Sequence, residues 1–243
     1  ATIAANLDRE VKNGKVAAGT KPEILARIHA TTDAARLTEA DFAVEAVPER
    51  LELKRAVLRD ADRVLRPEAI LASNTSSISI AALAAATSRP DRFVGMHFMN
   101  PVPVMELVEV VRAPQTSEAT LATTMEIARS LGKTPVAVND APGFVANRVL
   151  MPMINEAAFA VMEGVATPEA VDAVMRTGMN HPMGPLELAD LIGIDVCVDI
   201  LDVLEAGFPR SKEASKYSAC PLLRKMVAEG RLGRKSGRGF YKY

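Results

Sequence analysis

Between residues 41 and 139 short apolar runs alternate with amphipathic stretches, and this alternation leaves few folds open to the chain. Residues 41–47 form a near-continuous apolar run of the kind buried in parallel sheets. Residues 49–65 place Leu53, Val57, Ala61 and Val64 on one helical face, and Arg66-Pro67 ends that helix. Strands are predicted at 69–73, 92–96, 107–111 and 134–139. Helices are predicted through 81–86 and on the Leu121, Met125, Ala128, Leu131 face that closes at Gly132. Strand, helix, strand in this order is the grammar of a right-handed parallel α/β sheet, which binds ligands at the carboxyl ends of its strands. The polar groups Glu49-Arg50, Asn74-Thr75-Ser76 and His97 to Asn100 all fall at such ends. Upstream, Ile3, Leu7 and Val11 mark an amphipathic helix, followed by a short helix at 21–26 and a predicted strand at 27–32 that carries the lone His29.

The segment from Gly95 to Arg112 carries the chemistry. His97 stands where one apolar run gives way to a loop held extended by Pro101 and Pro103. Glu109 stands in the middle of the next β-rich run, Leu107-Val108-Glu109-Val110-Val111. A histidine and a carboxylate on adjacent apolar segments suggest a dyad in which the acid orients the imidazole and stabilises its cation. A satisfied buried histidine beside an unrelated edge-strand glutamate is the alternative, and the segment alone does not choose.

From Asp140-Ala141-Pro142-Gly143 the pattern changes, which divides the chain into a sheet domain at 1–140 and an all-helical domain at 141–243. A long helix is expected over 145–163, kinked at Pro152. A second begins with Thr167 as cap and Pro168 at its first position and stops at Gly178. His181-Pro182-Met183-Gly184-Pro185 is a stiff turn into a single third helix containing Leu188, Leu191, Ile194, Val198 and Leu201, and a fourth helix spans 221–228. These apolar stripes exceed what one small bundle needs, which points to a dimer face, with internal core as the other reading. The tail from Gly230 to Tyr241 follows no strand and lacks phosphate-loop spacing; Arg231, Arg234, Lys235 and Arg238 either meet an anionic phosphate or are solvated.

Composition excludes several classes. Over 243 residues the formal charge is −1, which gives no case for nucleic acid. Cys197 and Cys220 have no metal-ligand spacing and read as plain thiols of a reducing compartment, with no metal site expected. No apolar run approaches the ~18 residues of a membrane span, so a soluble, cytoplasmic protein is expected.

In order along the whole chain, the motifs Val44-Glu45-Ala46-Val47-Pro48-Glu49, Ala72 to Ser77, Gly95 to Pro103, Leu107 to Val110, Pro142 to Arg148, His181 to Pro185 and Gly233 to Tyr241 resemble the L-3-hydroxyacyl-CoA dehydrogenase family, particularly its bacterial 3-hydroxybutyryl-CoA dehydrogenases. The resemblance implies a Rossmann-type domain followed by a helical substrate and dimerisation domain, an (S)-3-hydroxyacyl-CoA substrate and NAD. It implies that His97 is the base for the 3-hydroxyl proton, that Glu109 orients it, and that Ser76 and Asn147 hold the reacting oxygen from either side of an interdomain cleft. Glu49, Lys54, Ser76, Asn100 and Lys235 would touch the dinucleotide, with Lys12 a weaker match for CoA phosphates. The family opens with a strand, a G-x-G-x-x-G turn, a helix and a second strand ending in an acid; no G-x-G-x-x-G precedes Gly95 here, and Ala1 already lies in the helix after that second strand. An incomplete sequence is the expectation, and a catalytically incompetent acyl-CoA-binding or dimerising fragment, or a relative acting on free hydroxy acids, are the alternatives. Met99 stands where the family usually carries a second Phe, a tolerable change of volume.

Overall fold

A computed structural model of the protein describes residues 2–208 and 214–243. It begins with two helices, α1 (Thr2–Lys12) and α2 (Lys21–Ala26). Then follow β1 (Phe42–Glu45), α3 (Leu51–Val64), β2 (Ile70–Ser73), α4 (Ile80–Ala84), β3 (Phe93–Phe98), β4 (Leu107–Arg112), α5 (Glu118–Ser130) and β5 (Thr134–Asn139). The five strands form one sheet in the order β1-β2-β3-β4-β5. The strand–helix alternation that predicts an α/β sheet is therefore present, and each face of the sheet is covered. Leu71, Phe93 and Val111 pack with Leu58 of α3 and Ile80 and Leu83 of α4. The alternate residues Ile70, Ala72, Val94, Met96, Val108 and Val110 face Ala128 of α5.

Two sequence readings are corrected here. The sheet is not wholly parallel: β3 and β4 pair antiparallel, whereas β1–β2, β2–β3 and β4–β5 are parallel. The loop between Phe98 and Leu107 is too short for a crossover, so the chain must turn straight back. That reversal sets His97 opposite Glu109 in the register of the two strands. Residues 27–32 are not a strand either. Ile28 is their one large aliphatic residue and is exposed, and Asp33 closes local turns with Thr31 and Ala35 that lead into a 3-10 segment at Ala34–Glu39.

The rest of the described chain is helical: α6 (Ala146–Met162, with Pro152 inside it), α7 (Pro168–Gly178), α8 (Pro185–Ile192), α9 (Ile194–Gly207) and α10 (Pro221–Ala228). Thr167 caps α7 as the sequence predicts, its side chain accepting from the Ala170 N–H. The expected single third helix is two helices, because Gly193 breaks it with φ of 109°, which an L side chain rarely adopts. Met151, Ile154, Leu201, Leu204, Leu223 and Met226 share the core of this unit, so part of the predicted apolar excess is internal.

The tail folds back on the helical unit although Arg234, Lys235 and Arg238 stay exposed to solvent, and a buried acid explains why. Asp190 of α8 is 1% exposed. It accepts from the backbone N–H groups of Phe240 and Tyr241, both at 2.9 Å, and from the Tyr243 hydroxyl at 3.2 Å. A Cβ at Gly239 would overlap its carboxylate, so the tail can approach only as glycine. Asp172 of α7 acts alike on Leu186, Glu187 and the Tyr241 hydroxyl. Replacing Asp190 with alanine strands the buried donors, and an expected loss of about 3 kcal/mol should appear as a lower midpoint in urea unfolding.

Candidate active site

The site grows from the strand reversal. His97, 8% exposed near the end of β3, brings Nδ1 within 2.8 Å of Glu109 Oε2, and Glu109 on β4 is 2% exposed. The other carboxylate oxygen, Oε1, accepts from the backbone N–H groups of Val145 at 3.0 Å and Ala146 at 2.9 Å, at the start of α6. Burial alone would raise the Glu109 pKa; the bonds from His97, Ala146 and Val145 outweigh it and hold the carboxyl below its usual 4.5. An ionised Glu109 can only accept, so Nδ1 carries the proton and Nε2 keeps a lone pair. A depressed folded pKa means that this contribution to stability is complete above 4.5 and fades as the pH falls through the lower folded value. Acid titration of Glu109→Gln should therefore show a shallower loss of stability below pH 4.5 than the native protein.

Ser76 and Asn147 meet across the two units, with Asn147 Nδ2 donating to the Ser76 carbonyl at 3.2 Å. The turn that carries Ser76 is shaped by Glu49. Its Oε1 accepts from the Ser76 and Ser77 N–H groups and the Ser77 hydroxyl, all at 3.0 Å, and from the Thr75 hydroxyl. Burial opposes charge on Glu49, but these bonds and the Lys54 ammonium prevail and lower its pKa. Asn74 ties the same turn to the end of β3 by accepting from the Phe98 N–H at 2.9 Å.

Lys54 is only 1% exposed. Its Nζ contacts Glu45 Oε1 at 2.9 Å, Glu49 Oε2 at 3.2 Å and the Val47 carbonyl at 3.0 Å. Glu45, itself buried, also accepts from the Ser73 hydroxyl at 2.6 Å. Glu45 and Ser73 escape a reading based on polar turns because they stand within apolar strands. The legible signal is Lys54, which shares the buried face of α3 with Leu58 and Ala61 and so demands a carboxylate partner. Lys54→Met would leave Glu45 charged and unpaired inside the protein, at an expected cost of about 3–5 kcal/mol in urea unfolding. Asn100 is exposed on the loop after β3. Lys235 pairs with Asp195 of α9 at 2.6 Å instead of joining the Glu49 cluster.

At the carboxyl ends of β1–β3 the chain thus gathers the Ser76 hydroxyl, the Asn100 amide and the Glu49 carboxylate within the same loop cluster as a polarised imidazole. Hydroxyl, amide and carboxylate groups of this kind can bond the ribose hydroxyls and carboxamide of a nicotinamide dinucleotide. A Rossmann-type sheet that sets a histidine–carboxylate pair against the first turn of a following helical unit fits the dinucleotide-dependent oxidoreductase that the sequence resemblance implies.

Comparison with known proteins gives the particular family. Residues 1–141 match the model of the 3-hydroxyacyl-CoA dehydrogenase NAD binding domain, and residues 143–243 match that of the 3-hydroxyacyl-CoA dehydrogenase C-terminal domain. A probable 3-hydroxybutyryl-CoA dehydrogenase of Deinococcus radiodurans is 57% identical over 220 residues, covering 90% of this chain and 78% of its own. The 3-hydroxybutyryl-CoA dehydrogenase of Bradyrhizobium diazoefficiens is 50% identical over 243 residues, covering 100% of this chain and 82% of its own. The crystal structure of (S)-3-hydroxybutyryl-CoA dehydrogenase from Ralstonia eutropha superposes with a TM-score of 0.95 at 49% identity, covering 100% of this chain and 84% of that one. The chain belongs to the 3-hydroxyacyl-CoA dehydrogenase family, and its cofactor is NAD.

Proposed function

We propose that the protein interconverts (S)-3-hydroxyacyl-CoA, with 3-hydroxybutyryl-CoA foremost, and 3-oxoacyl-CoA. The observation that carries this reading is the His97–Glu109 pair, with Nδ1 committed to Glu109 at 2.8 Å and Nε2 left as a base. When bound, NAD accepts the hydride from C3 in oxidation, or its reduced form supplies it in reduction. His97 Nε2 takes the 3-hydroxyl proton as the C3–O bond becomes a carbonyl, and Glu109 stabilises the resulting imidazolium. In reduction the same nitrogen returns the proton to the oxygen. Ser76 and Asn147 hold that oxygen between the sheet and α6, and burial of the dyad limits exchange of the proton with water. Glu49 and Lys54 shape the turn that presents Ser76, Asn100 meets the nicotinamide side, and Lys235 approaches the dinucleotide from the tail.

The division at residues 1–140 and 141–243, a homodimer through the helical unit, a cytoplasmic location and a role in fatty-acid metabolism belong to the same reading. Val149, Val165, Val174, Met179 and Leu191 remain exposed on the helical unit and support a self-association face. No helix among the described residues is long and apolar enough to cross a membrane. The test is NADH formation with (S)-3-hydroxybutyryl-CoA set against free 3-hydroxybutyrate. Reduction of NAD by the thioester and not by the free acid is expected; the reverse preference, or no reduction by either, would defeat the reading.

A further inference from the structure

The joint between the two units holds one residue in an unusual conformation. Phe144 has φ of 49°, in the left-handed region that a bulky side chain rarely enters, directly after Gly143 at φ of 71°. Such a conformation persists only where the surroundings determine it, and here they act on both sides. The ring is 2% exposed and belongs to the sheet-side core with Leu58, Ile80 and Phe93. It also lies against the imidazole of His97, with centroids 5.7 Å apart and planes inclined by 60°. The backbone leaving Phe144 points the next two N–H groups, of Val145 and Ala146, at Glu109 Oε1.

We propose that Phe144 is a positioning residue for the His97–Glu109 dyad, its side chain anchored in the sheet unit and its left-handed backbone turning the first N–H groups of α6 onto Glu109. The inference rests on the dyad reading above. One oxygen of Glu109 is fixed by the joint and the other is thereby aimed at Nδ1, while the Phe144 ring limits rotation of the imidazole. Rotation of Phe144 into ordinary backbone space would withdraw the Val145 and Ala146 donors and the ring together. The dyad is thus assembled by the connection to the helical unit, not by the β3–β4 pair alone.

The test uses Phe144→Leu, which keeps an apolar side chain but removes the ring, with two readouts. The first is the Nδ1 proton resonance of His97, measured without substrate and assigned among the three histidines by its absence in His97→Gln. The second is steady-state kinetics. The resonance should move or broaden, and kcat should fall about ten- to a hundredfold with KM nearly unchanged. Phe144→Tyr, which retains the ring, should restore both. A folded Phe144→Leu protein with native resonance and native kcat overturns the proposal, even if its melting temperature is lower. If Phe144→Leu does not fold, Phe144→Met is read by the same criteria. If neither folds, slow exchange of the Val145 and Ala146 amides in the native protein supports the proposal and fast exchange overturns it. An inactive native protein would instead defeat the dyad reading, while the resonance still decides whether Phe144 positions His97.

Discussion

Replacing His97 with glutamine is expected to lower kcat by about 10³-fold in both directions. A glutamine amide can donate to Glu109 Oε2 much as Nδ1 does, so the strand pair and the buried carboxylate remain satisfied. What it cannot do is accept a proton at the position of Nε2. The 3-hydroxyl proton would then have to leave to water, which the burial of the site restricts. KM for the thioester should change little, because the loss falls on the transition state and not on ground-state binding. Unfolding in urea should place the variant within about 1 kcal/mol of the native protein, separating the chemical loss from a folding defect.

Glu109→Gln is expected to cost a comparable factor, about 10³ in kcat, by a different route. Glu109 is surrounded by three donors: His97 Nδ1 and the N–H groups of Val145 and Ala146. An amide offers one accepting atom and one donating group. If its oxygen faces Val145 and Ala146, its NH₂ faces Nδ1, which must give up its proton; Nε2 then carries that proton and the base is lost. If the amide is reversed, NH₂ opposes two backbone donors. Either arrangement also removes the charge that stabilises imidazolium. A loss of about 1–3 kcal/mol in stability should accompany the kinetic loss, because a neutral amide oxygen is a weaker acceptor than the carboxylate for the Val145 and Ala146 N–H groups. A kcat within a few fold of native, with the variant folded, would show that Glu109 only fills space.

How much of this is legible in the sequence differs from element to element. α2, β5, α7 and α10 follow from their caps, prolines and apolar spacing, because those signals are local. The pairing of His97 with Glu109 is suggested by neighbouring strands, but its register depends on the antiparallel return of β4, which apolar patterning does not encode. The break between α8 and α9 turns on the single positive φ of Gly193, hidden in a run that reads as one helix. Residues 27–32 show the reverse error: a local β pattern that pairs with no strand of the sheet and gives way to turns at Asp33. At the site, polar residues in turns are conspicuous, whereas Glu45 and Ser73 are masked by the apolar strands that hold them. The Glu109 contact with the start of α6 joins residues 36 and 37 apart and is a property of the assembled units. Phe144 offers no sequence signal beyond its place after Pro142-Gly143, since a positive φ at a phenylalanine is imposed by its surroundings.

The central claim is that the reacting oxygen sits between His97, Ser76 and Asn147, and a crystal structure with NAD and acetoacetyl-CoA tests it most directly. The account predicts the C3 oxygen of the bound thioester about 3 Å from His97 Nε2, with Nδ1 still on Glu109. A thioester bound with that oxygen away from His97, and Nε2 turned to solvent or to another protein group, would contradict it.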